Sequence, residues 1–404
     1  MFAAVSPPPM SFEIPSPPLP FAQRAGLWAT LAVAICVVVM AGHVIRTGGG
    51  LSSLAAFGDS LPRPLYTDAR VPPGTAVQRD SDGYDGQFYY MMALSPFAPD
   101  ARIPEARSQR LLYPLLAWVI AFGRPEVTTL ALALVNLLSV GLTTALLAVW
   151  LRRRGFHPAW SFLGGASAGA VLSAEYLCPD AMLVALLAAS LFAMDRRWYG
   201  LAALALAGAI LTKEPALAAW LAVAIAVAVT RPRPRAYLVF LAPLPWLVWA
   251  ALLNRNTDAL IVTWNIRHAV GQPLNSWLGA VLFDSAQVQG FSRAIGPFLL
   301  AVMLAVTLWL ALQARGGPQQ LIAGAALIWG AAALCWNDAI WQPLVAAARN
   351  MAPLALFGAI LAAAPFRRGR YAFAALALLL LALVVARALF LGQVPEIFFT
   401  EPPR

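Results

Sequence analysis

Charge is what this 404-residue chain has little of. Only 11% of its residues are charged, against roughly a quarter in a soluble protein. Lysine is nearly missing, Lys213 being the single one among 28 basic residues. The three cysteines, Cys36, Cys178 and Cys335, lack metal-ligand spacing, and His43, His157 and His268 lie far apart, which argues against a zinc site. No Gly-rich loop leads into Lys-Ser/Thr and no GxGxxG follows a strand, so P-loop and dinucleotide sites are excluded. No run is read as a nucleophile elbow, which weighs against an α/β-type hydrolase. The net charge of +10 sits on arginines in short loops. That pattern reads as topology and lipid-headgroup contact, not nucleic-acid binding.

What the chain has instead is apolar runs: 61% of it is hydrophobic and its mean hydropathy is +0.72. The predicted class is all-α, a polytopic transmembrane bundle of about eleven spans. Residues 1–24 are Pro- and Ser-rich and are expected to form a disordered cytoplasmic tail. Residues 25–45 are too long for a signal-peptide core and read as a retained first span. Further spans are expected at 126–151, 158–176, 179–195, 198–212, 214–230, 236–253, 294–313, 319–337, 342–364 and 371–391. Together 25–391 make one transmembrane domain, with a C-terminal tail at 392–404. Two large loops interrupt it, 46–125 and 254–293. Within the first, 111–122 is apolar but too short to cross, and is expected to be interfacial or re-entrant.

Basic loops set the orientation. Arg152-Arg153-Arg154, Arg196-Arg197, Arg231/Arg233/Arg235, Arg315 and Arg367-Arg368-Arg370 all fall on one side if 111–122 does not cross. That side is cytoplasmic, so the N-terminus is inside and both large loops are outside. Of the eighteen acids only Glu13 and Asp195 then face the cytoplasm.

The densest chemistry is at 80–94, where Asp80, Asp82 and Asp85 alternate with Gly83, Gly86 and tyrosines. Two Asp-Gly turns precede good helix formers from Gln87 on, which puts Asp85 near a helix N-terminus. A plain helix cap is an equal reading of Asp85 by pattern alone. Glu175 and Asp180 flank a tight turn, Tyr176-Leu177-Cys178-Pro179. Lys213-Glu214 lies between spans that share only residues 198–230, whereas two crossings need roughly forty residues. The tip of that hairpin should therefore sit below the surface, where ionisable groups are costly and usually functional. Snorkelling to the surface is the bland alternative. Arg349 lies a turn or two inside a span and needs an anionic partner. The 254–293 loop mixes Arg267, His268 and tryptophans, as in a lid over a sugar or phosphate, or in an ordinary solvated loop.

A carboxylate in such a pocket can take a proton from a hydroxyl, and cations beside it can stabilise a departing phosphate. Candidate phosphate ligands are Arg107, Arg110, Lys213, Arg267 and Arg349, arginine being suited by its two parallel donors. Glu214, Gln87, Tyr89 and His268 are further candidates for the binding site.

Tyr84-Asp85-Gly86-Gln87-Phe88-Tyr89-Tyr90, Gln109-Arg110-Leu111-Leu112-Tyr113-Pro114-Leu115-Leu116-Ala117-Trp118 and Leu211-Thr212-Lys213-Glu214 resemble elements of the GT-C integral-membrane glycosyltransferases. The nearest likeness is to a bacterial branch with a DGQFYY signature, linked to cell-surface glycopolymers. The resemblance covers about residues 25–230 and implies a polyprenyl-phosphate sugar donor and a glycan, lipid or protein acceptor. It puts the active site outside the bacterial inner membrane and gives Asp85 the acceptor hydroxyl, alone or assisted by Asp82 or Asp180. Where the family commonly has a second acid this chain has Gly86, so no cofactor is assigned and a divalent cation is left open. A flippase for lipid-linked sugars, and a non-catalytic subunit of a polymer-assembly complex, are the alternatives. The flippase ranks lower because ionisable groups gather at the outer end of the spans.

Overall fold

The computed structural model describes residues 24–98, 100, 102–230, 234–254, 288–314, 318–335, 344–364 and 368–389. They form a mostly helical bundle, with one two-stranded pairing in the loop after the first helix. Among the described residues, four helical stretches are long and apolar enough to cross a membrane: Ala25–Thr47, Pro125–Arg153, Pro234–Leu253 and Arg370–Leu389. Shorter apolar helices fill the space between them.

Helix α1 (Ala25–Thr47) ends at Gly48, whose left-handed backbone returns an N–H to Val44. In the following loop come α2 (Asp85–Leu94), α3 (Glu105–Ser108) and α4 (Leu112–Ala121). The apolar face of α4 is open at Val119, Ile120 and neighbouring Phe122, as suits a short helix lying on a bilayer surface. Next is α5 (Pro125–Arg153), where Pro125 suits the first position by its fixed backbone and missing N–H, and Glu126 at the start and Arg152 and Arg153 at the end are favoured by the helix dipole.

The expected span at 158–176 is two helices, α6 (Trp160–Gly165) and α7 (Ala168–Glu175), broken where Ser167 caps α7 through the Ala170 N–H. This corrects a sequence-level omission, because Gly165-Ala166-Ser167-Ala168-Gly169 does spell the GxSxG elbow. Its glycines serve packing. A Cβ on Gly165 would stand 1.9 Å from Thr144 Oγ1, and one on Gly169 would stand 2.1 Å from the Ala348 carbonyl. The Ser167 hydroxyl accepts the Ala170 N–H at 3.4 Å as the cap of α7, and among the described residues no histidine hydrogen-bonds to it.

Then follow α8 (Asp180–Asp195), α9 (Tyr199–Thr212) and α10 (Ala216–Thr230). The 234–254 segment starts as a 3₁₀ helix, Pro234–Leu241, and continues as α11 (Leu244–Asn254). Last are α12 (Val288–Leu312), α13 (Pro318–Leu334), α14 (Leu344–Asn350), α15 (Ala352–Ala362) and α16 (Arg370–Leu389). The α14/α15 break precedes Pro353, which cannot continue the hydrogen-bond ladder of α14. The break ends α14 just beyond Arg349.

Candidate functional site

A knot of backbone holds the start of α2. Strand β1 (Phe57–Gly58) pairs with β2 (Val77–Gln78), and Phe57 also bridges to Gly83. Gly83 has φ +73°, and a Cβ there would stand 2.3 Å from the Ala56 carbonyl, so this turn requires glycine. The Tyr84 N–H donates to that same carbonyl at 2.8 Å. Gln87 is buried and ties the knot, accepting from Gly58 N (3.4 Å) and donating to the Asp82 carbonyl (2.7 Å). Gln87 is therefore a structural clamp, not the substrate contact expected of it. Asp82 is exposed at the surface of the turn.

Asp85 is the first residue of α2, yet its carboxylate is not spent on capping. Oδ1 accepts from Arg107 Nε (2.8 Å) and Nη2 (2.7 Å), and Oδ2 accepts from Arg349 Nη2 (3.1 Å). Arg349 thus has the anionic partner its depth demands. Its guanidinium also lies 4.6 Å above the Tyr84 ring, and its Nη1 is 3.7 Å from Asp180 Oδ2. The other Asp180 oxygen pairs with Lys213, whose ammonium also donates to Asn350 Oδ1 at 2.7 Å. Arg110 forks onto Glu214 (3.0 and 2.7 Å) and donates to the Tyr89 hydroxyl (2.8 Å). Five separate stretches of chain are drawn together here.

Burial by itself would raise the Asp85 carboxyl, but Arg107, Arg349 and Arg110 outweigh it and hold Asp85 well below the usual carboxylate range. Among the described residues the cluster sets Asp85, Asp180 and Glu214 against Arg107, Arg110, Lys213 and Arg349. That leaves one positive charge in excess, in surroundings where an unpaired charge costs several kcal/mol. An anion would complete it. The most open of the cations is Arg107, its side chain 30% exposed. Arg110 is tied up by Glu214 and Tyr89. Arg267 and His268 lie outside the described residues.

The Glu175–Asp180 turn links this cluster to a second one. Leu177 takes φ +48°, and Ser173 staples the turn by donating to Cys178 O (2.6 Å) and accepting from Ala181 N (3.0 Å). Glu175 is fully buried and accepts from His43 Nδ1 (2.9 Å) and Arg387 Nη1 (2.8 Å), with Arg46 at 3.7 Å. The Tyr176 ring packs between His43 (5.4 Å) and Tyr84 (4.8 Å), and Tyr84 carries Arg349. His43, Tyr84, Asn350 and Arg387 are not among the residues singled out from sequence. Arg387 could have been, since it interrupts an apolar run as Arg349 does. Glu175→Gln should lower stability in detergent by about 3–5 kcal/mol, because it strands buried cations. Thermal unfolding checks this.

Beyond the ionised groups, a small apolar crevice is lined by residues such as Ser167, Met303, Met351 and Leu380. It has no charged lining. No group of His, Cys, Asp and Glu among the described residues is arranged to hold a metal ion. Comparison with protein-family models, with curated proteins and with solved structures found no match.

Proposed function

We propose that the chain is a GT-C-type glycosyltransferase of the bacterial inner membrane, with about eleven spans. Its N-terminus is cytoplasmic and its ion cluster extracytoplasmic. It moves a sugar from a polyprenyl phosphate to a glycan, lipid or protein acceptor at the cell surface. The observation that carries this reading is the excess positive charge gathered around Asp85 from distant parts of the chain.

Arg107 and Arg349 take the donor phosphate, with Lys213 behind them adding charge. The sugar's C1–O bond to phosphate breaks, and its electron pair stays on the phosphate oxygen. The acceptor oxygen bonds to C1 and its proton passes to Asp85. The leaving group is the polyprenyl phosphate, stabilised by the same arginines that bound it.

Mass spectrometry of lipids that co-purify with the protein tests the donor class. A polyprenyl phosphate, free or bearing a sugar, is expected at a level that falls on Arg107→Gln. Bulk phospholipid alone, unchanged by that substitution, would sink the reading.

A further inference from the structure

Arg349 is incompletely bonded in the cluster. Its Nη2 donates to Asp85, but its Nε is buried without a hydrogen-bond partner. Asp180 Oδ2 is likewise buried without one, 3.7 Å from Arg349 Nη1. Buried polar atoms are nearly always paired, so the spare Asp180 oxygen, 3.7 Å from Arg349 Nη1, marks a contact that a small turn of the guanidinium would close. The Tyr84 face beneath the guanidinium lets it shift while keeping its cation–π contact. Asp85 is in the opposite condition. Both of its oxygens already accept from arginine, which lowers the affinity of each for a hydroxyl proton.

We infer that Arg349 is a positioning residue that exchanges between Asp85 and the donor phosphate, Asp180 receiving its other edge, so that Asp85 becomes a base only once donor is seated. Arg107 shares the exchange. This rests on the phosphate reading above and goes beyond it by setting an order: donor first, acceptor second. A phosphate oxygen competes well for guanidinium because it offers the same two-point geometry as a carboxylate. As the arginines turn, Asp85 loses its charge-assisted bonds and gains an anionic neighbour, and both changes increase its affinity for a proton. An acceptor hydroxyl can then donate to the vacated oxygens.

A fixed Asp85 that merely holds the arginines in place makes the opposite prediction about binding. The test uses full-length protein in detergent and farnesyl methyl phosphate, a diester whose charge does not change over the working range. Calorimetry should show Asp85→Asn binding this probe about tenfold more tightly than the parent, because a competitor for the arginines is gone. Weaker or unchanged binding overturns the exchange. Asp68→Asn removes the same formal charge from the separate Arg70 and Arg102 pairing in the first loop and should change affinity less than about twofold. An equal gain there would reduce the effect to bulk electrostatics and overturn it. The gain from Asp85→Asn should also vanish in an Arg349→Gln background, and its persistence would overturn it.

The unsubstituted protein supplies an independent measure. Binding should take up protons increasingly as pH falls toward the ordinary carboxylate range, read from the heat in buffers of different ionisation enthalpy. Binding with no uptake overturns the exchange alone. No binding by any folded variant overturns the phosphate reading as well.

Discussion

Asp85→Asn should cut sugar transfer by about 10²–10⁴-fold, the span expected when a positioned base is lost. Folding should suffer less. Removing one member of a fully buried pair costs roughly 3–5 kcal/mol. Here Asp85 is 15% and Arg107 30% exposed, so water takes up part of the loss. A drop of about 1–3 kcal/mol is expected, read by thermal unfolding in detergent. Rate and binding should move in opposite senses, transfer falling while a phosphate diester binds more tightly. The pH profile separates this from a structural defect. In the free protein Asp85 is held well below the usual carboxylate range by the arginines that overcome its burial. It stays ionised as pH falls through the ordinary carboxylate region, so kcat/KM, which reports the free enzyme, should stay level there. The donor complex has lost those arginines, so the acid limb of kcat should lie at higher pH. Coincident acid limbs would remove Asp85 from the base role.

Much of the architecture could be read from hydropathy. The first span, expected at 25–45, is Ala25–Thr47, and the one expected at 371–391 is Arg370–Leu389. The breaks are not legible in hydropathy, which does not report where a helix stops and restarts. Ala166-Ser167 sits in a small-residue run, and Met351-Ala352 lies between Arg349-Asn350 and Pro353, where the proline is the local signal. At the site, cost arguments worked where pattern did not. An arginine inside a span must have an anion, and Arg349 has Asp85, 264 residues away. Nothing local in either segment names the other. The same blindness hid the partner of Arg110, because its fork onto Glu214 spans 104 residues. The bonds of Gln87 were hidden for a related reason, since one partner, Gly58, lies 29 residues away in β1, a two-residue strand with almost no sequence signal.

Gly86→Glu should abolish accumulation of folded protein, although it recreates the Asp-Glu pair common in the family that the sequence resembles. Gly86 lies in the first turn of α2, where a residue with a side chain would ordinarily help a helix by up to about 1 kcal/mol. Space decides otherwise. A Cβ at this position would stand 2.5 Å from the Tyr176 carbonyl, 2.9 Å from that of Ala55 and 3.2 Å from that of Leu54. All three are backbone atoms, and Tyr176 belongs to the stapled turn that links Glu175 to Asp180, so none can yield cheaply. Overpacking of this kind costs about 1–3 kcal/mol for a methyl group and more for a longer side chain. Gly86→Ala should therefore be destabilising despite its better helix propensity, and Gly86→Glu would add a carboxylate facing carbonyl oxygens. Size-exclusion profiles and thermal unfolding of the two variants check the ranking. A stable Gly86→Glu protein with an ordinary unfolding transition would mean that α2 does not rest on the Tyr176 backbone. The placement of Asp85 between Arg107 and Arg349 would then lose its support.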